Sequence, residues 1–107
     1  MEVELINADV PGGRIVLSDL PALIGRSQIA DVCLNDPGVA EFQCMIVQDG
    51  DKLAVIDNVE DGSTFVNGAR AIWNSLMPGD NLRVGKSDFL VQFWRKVTPD
   101  QVRYKRT

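Results

Sequence analysis

The sequence predicts an all-β fold, an antiparallel β-sandwich of about ten or eleven short strands. Three observations support this prediction: short apolar runs recur along the chain, turn signals separate them, and no helical period is sustained before the last residues. The length of 107 residues suits one compact domain with one core and is too short for two ordinary domains.

The predicted strands follow one another at close spacing. In order along the chain, the apolar runs occupy residues 3–6, 14–17, 21–24, 31–34, 44–47, 53–56, 65–66, 82–84 and 89–93. Two of the intervening turns are strong hairpin signals. Asp49-Gly50-Asp51 separates the fifth run from the sixth, and Asn67-Gly68 follows the seventh, where both residues tolerate a positive φ.

A helix is expected only at the C-terminus. Residues 98–101 (TPDQ) fit a capping box, with threonine as the N-cap, proline at the first helical position and glutamine at the third. Few residues follow, so any helix there is limited to a turn or two. We therefore expect a sandwich domain at residues 1–97 and a basic tail or short helical turn at residues 98–107.

The body of the chain is acidic and its C-terminus is basic. Residues 1–94 carry 6 Lys and Arg against 14 Asp and Glu, whereas residues 95–107 carry 5 against 1. An acidic body argues against a duplex-binding surface. The basic tail is interpreted as a solvated end or the start of a connection to something else, although it could contact an acidic partner or nucleic acid. No apolar run reaches membrane-spanning length, and residues 1–10 have no basic start and no apolar stretch of signal-peptide length. We expect a cytoplasmic protein that binds another protein, with no nucleic-acid or membrane partner.

The sequence offers little material for catalysis or metal binding. Histidine is absent, which removes the commonest general acid–base group and the commonest metal ligand. Cys33 and Cys44 cannot complete a tetrahedral zinc site unless carboxylates supply the remaining ligands. Each lies in an apolar run, so both are expected to be buried free thiols, although a disulfide across neighbouring strands stays open. We expect no enzyme activity, no cofactor and no metal.

Short motifs occur in a characteristic order: 23–26 (LIGR), 31–36 (DVCLND), 39–44 (VAEFQC), 62–68 (GSTFVNG), 78–80 (PGD) and 84–85 (VG). This series resembles the forkhead-associated (FHA) domain, a β-sandwich that typically binds phosphothreonine peptides through loops at one end. The resemblance covers about residues 14–93, and its motifs are individually short but specific in combination.

The resemblance implies a role for particular residues near a phosphate. Arg26, directly after glycine, is the arginine that contacts the phosphate in the family. The family's Ser-Arg-x-His motif places its serine and the following residue against the phosphate as well. In this chain Ala40, Glu41 and Gln43 occupy the serine, arginine and histidine positions.

A second family segment, Ser-Thr-Asn-Gly-Thr, supplies a threonine hydroxyl for the phosphate and an asparagine that fixes the peptide backbone. Counting back from Phe65 places Asp61 at the hydroxyl position and Gly62 at the asparagine position. The candidate or vestigial phosphopeptide site is therefore Arg26, Ser27, Ala40, Glu41, Asp61, Gly62, Ser63 and Thr64. The residues assigned to the structural motif are Gly25, Gln43, Asn67 and Gly68.

Most of the implied phosphate ligands are thus replaced, while the framework residues remain. A phosphate site needs cations and hydrogen-bond donors. The two segments that the resemblance assigns to the site instead contain three carboxylates, Glu41, Glu60 and Asp61. We expect Arg26 and Glu41 to form a direct or water-bridged pair that occludes the site. The expected function is a non-enzymatic FHA-like protein–protein interaction module with weak or absent phosphothreonine recognition. The alternative is a phosphothreonine-binding FHA domain with an altered pocket around Arg26, Ser27, Ser63 and Thr64.

Two aromatic residues have more than one interpretation. Trp73 could be an exposed anchor for a protein partner, but packing over its own hairpin is the preferred interpretation. Phe42 is expected to face the core or to cover its loop.

Overall fold

A computed structural model describes residues 1–60 and 62–94 of the chain. These residues contain no helix. They form eleven β-strands: β1 (Val3–Asn7), β2 (Arg14–Leu17), β3 (Ala22–Gly25), β4 (Val32–Cys33), β5 (Cys44–Asp49), β6 (Lys52–Asp57), β7 (Thr64–Val66), β8 (Ala69–Arg70), β9 (Trp73–Leu76), β10 (Asn81–Val84) and β11 (Ser87–Phe93). The helical turn and tail expected at 98–107, and the boundary at residue 97, lie outside the described residues.

The strands form two sheets. The first has six strands in the order β2-β1-β11-β10-β7-β8, and the second has five in the order β4-β3-β5-β6-β9. All pairings within them are antiparallel except that of β3 with β4, which is parallel. The predicted all-β sandwich of ten or eleven strands is confirmed, with this one short parallel pair as its exception.

One apolar core lies between the two sheets, because alternate side chains of each strand point to the same face. In β10, Leu82 and Val84 are buried while Asn81 and Arg83 are exposed. The largest enclosed side chains come from both sheets and include Leu5, Ile24, Ile46, Leu53, Leu82 and Phe89. Burial of such side chains is worth about 1.5–3 kcal/mol each, so this layer is the main stabilising element of the fold.

The two hairpins predicted from local turn chemistry are confirmed. Asn67 and Gly68 have φ angles of 51° and 83° and connect β7 to β8, as a turn with two left-handed residues requires. Gly50 has a φ of 63° in the turn between β5 and β6. Both turns depend on residues that adopt positive φ at low cost.

The ends of the sandwich differ in what they present. The turn before β11 is bonded to the β6–β7 loop, since the Gly85 N–H donates to the Ser63 carbonyl at 2.8 Å. At the other end of β11, Phe93 is paired with Val3 of β1. We call the end with the turn before β11 the loop end, because the β3–β4, β4–β5 and β6–β7 loops also lie there. The end with Phe93 is called the opposite end.

The expectation of two buried cysteines is wrong for Cys33. Cys33 is exposed and Cys44 is buried, and both are free thiols. Cys33 lies on β4, a two-residue strand at the edge of its sheet, so its side chain points away from the core. Burial raises the pKa of the Cys44 thiol to about 12, which leaves this group protonated and unreactive at neutral pH.

Candidate phosphopeptide site

Backbone hydrogen bonds bring three loops together at the loop end. The N–H groups of Arg26 and Ser27 donate to the carbonyls of Ala40 and Glu41, at 3.0 and 3.2 Å. The Asn58 N–H donates to the Gln43 carbonyl at 2.9 Å. The 25–28, 36–43 and 58–64 loops therefore cluster at one end of the sandwich, as the family resemblance implies for the loops that bind a peptide.

Gly25 makes the close approach of the first two loops possible. A β-carbon at this position would lie 2.0 Å from the Glu41 carbonyl oxygen and 3.1 Å from that of Ala40. Any other residue would therefore push the 40–41 segment away from β3. Glycine is required here by space, since Gly25 is not among the residues with positive φ.

Gln43 forms the buried centre of the three loops. Its side-chain carbonyl accepts the Ala40 N–H at 2.9 Å, and its amide nitrogen donates to Asp57 at 3.2 Å and to Thr64 at 3.4 Å. Thr64 in turn donates its hydroxyl to Asp57 at 3.2 Å. Gln43 and Thr64 are fully buried, so this network joins the starts of β5 and β7 to the end of β6.

Asp36 is a second anchor, which the sequence interpretation did not identify. Its carboxylate accepts the N–H groups of Gly38 at 2.8 Å and of Lys86 at 2.9 Å. These two bonds, that of Gly38 first, lower the pKa of Asp36 below its ordinary value of 3.8. Asp36 thereby fixes the β4–β5 loop to the turn before β11, where Gly85 leaves room for it. The Asn-Asp-Pro-Gly sequence at 35–38 is the signal that could have revealed it, since aspartate often accepts the N–H two residues on.

The side chains of Arg26 and Glu41 are both exposed at the rim of these loops. The direct ion pair expected between them is not formed, and neither side chain pairs with any residue in 1–60 or 62–94. The direct form of the expected pair is therefore wrong, because adjacent backbones do not fix the directions of two long exposed side chains, and a surface ion pair is worth too little to do so. The water-bridged form of the pair stays a prediction. Ala40 lies between them, partly buried and without a polar group.

The other candidate residues differ in their access to a ligand. The Ser27 hydroxyl accepts the Ile29 N–H at 3.3 Å, and the Ser63 hydroxyl donates to the Gly38 carbonyl at 3.4 Å. Both serines are partly exposed, and so is Gly62. Thr64 belongs to the buried network instead and presents nothing at the rim. Asp61 lies outside the described residues.

No group of three or more His, Cys, Asp and Glu side chains in the described part of the chain could hold a metal ion. Within the same residues, no helix is long and apolar enough to cross a bilayer.

The fold and the arrangement of these loops match a known family. The model of the FHA domain matches residues 22–85, more than half of the chain, and the chain belongs to the FHA domain family. FHA domains are known as non-enzymatic interaction modules, and homologues of this chain bind phosphothreonine peptides. No curated protein sequence gives a significant match.

Three solved structures illustrate the similarity. An FHA domain from a structural and functional analysis of phosphothreonine-dependent FHA domain interactions has 30% identity and a TM-score of 0.79, covering 90% of this chain and 100% of that one. The FhaA FHA domain in complex with the intracellular domain of Rv3910 has 32% identity and a TM-score of 0.75, covering 84% and 99%. The yeast Dun1 FHA domain in complex with a doubly phosphorylated peptide derived from Rad53 has 25% identity and a TM-score of 0.72, covering 99% and 85%.

Proposed function

We propose that this FHA domain is a non-enzymatic protein interaction module with weak or no affinity for phosphothreonine. One observation carries the proposal. At the rim where the family resemblance places the phosphate, the chain presents the Ala40 methyl group and the Glu41 carboxylate beside Arg26. The family pattern has a serine and a basic or polar residue at positions 40 and 41.

The charge at position 41 decides the balance. A carboxylate about 6 Å from a phosphate, at an effective dielectric near 20, is unfavourable by roughly 2–3 kcal/mol per unit of phosphate charge. The cation of the family pattern contributes attraction of similar size. After screening by solvent and salt, exchanging one for the other lowers affinity on the order of a thousandfold. Arg26 alone supplies too little attraction to offset this.

A shortage of hydrogen-bond donors at the rim also favours weak phosphate binding. Thr64 donates its hydroxyl to Asp57 inside the fold, and Gly62 has no side chain at the position where the family has an asparagine. A peptide at the rim therefore meets fewer donors than the family pattern provides, and phosphate oxygens need such donors to replace water.

Calorimetric titration with a library of phosphothreonine peptides and the matching unphosphorylated peptides tests the proposal. We expect the phosphorylated and unphosphorylated peptides to bind equally weakly. Added salt should not change the ratio of their affinities. Tight binding that depends on the phosphate would contradict the proposal.

A specific observation favours the alternative, a phosphopeptide site built around Arg26, Ser27 and Ser63. Arg26 is exposed, and among the described residues it has no ion-pair partner, so its guanidinium is available to an anion. If phosphate-dependent binding is observed, the variant Arg26→Ala tests whether that binding uses this altered pocket. Loss of that binding in the variant would support the altered pocket.

A further inference from the structure

Large apolar side chains are exposed or half-buried at the loop end of the five-stranded sheet, three of them on its strands and three in the adjoining loops. Phe42 does not face the core, which was one of its two expected positions, and Trp73 is more than half exposed. Four side chains are exposed and two between them are half-buried, and we call these six residues the apolar patch: Phe42 (43% exposed), Val59 (40%), Ile72 (56%), Trp73 (57%), Met45 and Ile56. Apolar surface grouped in this way marks an interaction site more often than singly scattered residues do.

Strand pairing forms the first part of the patch. Met45 of β5 is paired with Ile56 of β6, and Ile56 is paired with Trp73 of β9. All three side chains point away from the core, because their strand neighbours such as Cys44 and Val55 are fully buried. They therefore form one continuous row across three strands.

Backbone hydrogen bonds bring the segments that carry the other three residues next to the strands of this row. The Asn58 N–H donates to the Gln43 carbonyl at 2.9 Å. Phe42 precedes Gln43, and Val59 follows Asn58. The Asp57 N–H donates to the Ile72 carbonyl at 2.8 Å. The segments that carry Phe42, Val59 and Ile72 are thus adjacent at the loop end.

Carboxylates flank the patch. Glu41 precedes Phe42 and Glu60 follows Val59, both are exposed, and neither forms an ion pair with residues 1–60 or 62–94. Arg70 lies close to Glu60 but donates its guanidinium to the Glu60 main-chain carbonyl. The surrounding body is acidic, with 14 Asp and Glu against 6 Lys and Arg in residues 1–94.

We propose that the apolar patch docks a partner segment that combines apolar side chains with lysine or arginine. Its apolar side chains would cover Trp73, Ile72 and Phe42, which removes apolar surface from water. Its cations would lie near Glu41 and Glu60, where complementary charge favours association and selects the partner. None of the six residues of the apolar patch belongs to the candidate phosphopeptide site, so this docking is a separate proposal from phosphothreonine binding, although Glu41 borders both surfaces.

A display library of random short peptides, selected against the full chain, provides the first test. We expect the enriched peptides to carry a net positive charge together with aromatic or aliphatic residues. Enrichment of acidic peptides, or of none, would contradict the proposal. Sedimentation of the free protein shows whether a second copy covers the patch instead, and dimers broken by Trp73→Ser would also contradict it.

The two tryptophans provide a matched control. Trp94 is 67% exposed but lies at the opposite end of the sandwich, next to Phe93. For a synthetic copy of the most enriched peptide, we expect Trp73→Ser to weaken binding at least about tenfold, as for an interface anchor. Trp94→Ser should leave binding within about twofold. Equal losses in the two variants would overturn the assignment of the surface.

A charge control completes the test. The double variant Glu41→Gln and Glu60→Gln should weaken binding roughly threefold or more and reduce its dependence on salt. Glu2→Gln, an exposed glutamate at the opposite end, should leave both unchanged. If Trp73→Ser prevents folding, amide chemical shifts of the unmodified protein replace it as the readout. Peptide-induced shifts should then be confined to the patch and spare Val16 and Leu90, which are exposed on the other sheet.

Discussion

At the scale of single residues, Gln43 explains how the site keeps its shape without the histidine of the family pattern. A neutral imidazole offers one donor and one acceptor, and a glutamine amide offers both without titrating near neutral pH. Gln43 uses its carbonyl for the Ala40 N–H and its amide nitrogen for Asp57 and Thr64. Gln43 is therefore a scaffold residue in this chain, with its side chain bonded inside the fold.

We expect Gln43→Ala to lower the free energy of unfolding by about 3 kcal/mol, because it leaves a cavity and removes a partner from the Ala40 N–H and from the buried side chains of Asp57 and Thr64. Gln28→Ala is the control, since Gln28 is exposed in the β3–β4 loop and its replacement should change stability by less than about 0.5 kcal/mol. Urea unfolding followed by tryptophan fluorescence measures both. Similar losses in the two variants would show that the network contributes no particular stability.

At the scale of elements, Asp36 fixes the β4–β5 loop by joining it to the turn before β11. Its lowered pKa means that the folded protein prefers the ionised form more than the unfolded chain does. The resulting stability is fully present above pH 3.8 and is lost as the pH falls through the lower pKa of the folded state.

We therefore expect Asp36→Asn to unfold at a lower urea concentration than the unmodified protein at pH 6. The asparagine amide has only one acceptor oxygen and no charge, so one of the two N–H groups loses its acceptor and the other loses a charged one. The difference between the two proteins should shrink as the pH falls below 3.8. Asp19→Asn, at an exposed loop position, should show no such convergence. If the stability difference between Asp36→Asn and the unmodified protein is the same at every pH, the Asp36 carboxylate does not anchor the loop in the way described.

The elements also show which features the sequence could predict. The turn at Asn67-Gly68 depends on two adjacent residues that tolerate positive φ, so its signal is local. The exposure of Cys33 depends on β4 being a short edge strand, which is a property of the whole sheet and is absent from the apolar run around the cysteine. Likewise, the motif order indicated that Arg26 and Glu41 lie in adjacent loops, but surface rotamers decide whether their side chains meet.

At the scale of the whole molecule, the framework of the phosphopeptide site and its ligands can be separated. Gly25, Gln43 and Asp36 hold the three loops in place through main-chain contacts and buried hydrogen bonds. The residues that differ from the family pattern at the rim, Ala40 and Glu41, take part in these contacts through their main-chain atoms. Their side chains can therefore be exchanged with little effect on the fold.

We expect Ala40→Ser with Glu41→Arg to produce phosphate-dependent binding of phosphothreonine peptides that the unmodified protein lacks. The added hydroxyl supplies a donor, and the change from carboxylate to guanidinium recovers several kcal/mol by the estimate above, at roughly 2–3 kcal/mol for each charge. The sequence alone suggests adding Gln43→His, but Gln43 is buried and its bonds face the network, so the double variant should gain most of the effect. Recovery should stay incomplete, since Gly62 still offers no side chain to the peptide backbone.

Calorimetric titration against the same phosphorylated and unphosphorylated peptides measures this gain in affinity. The single variant Glu41→Gln separates the effect of removing the carboxylate from the effect of adding a cation and a hydroxyl group. Removing the negative charge without adding a cation should give a gain smaller than that of the double variant. Added salt should weaken the binding of the double variant because the new attraction is between charges at the surface. If the double variant folds and still does not distinguish phosphorylated from unphosphorylated peptides, the charge at position 41 is not what limits binding, and the missing donors at positions 61 and 62 become the leading cause.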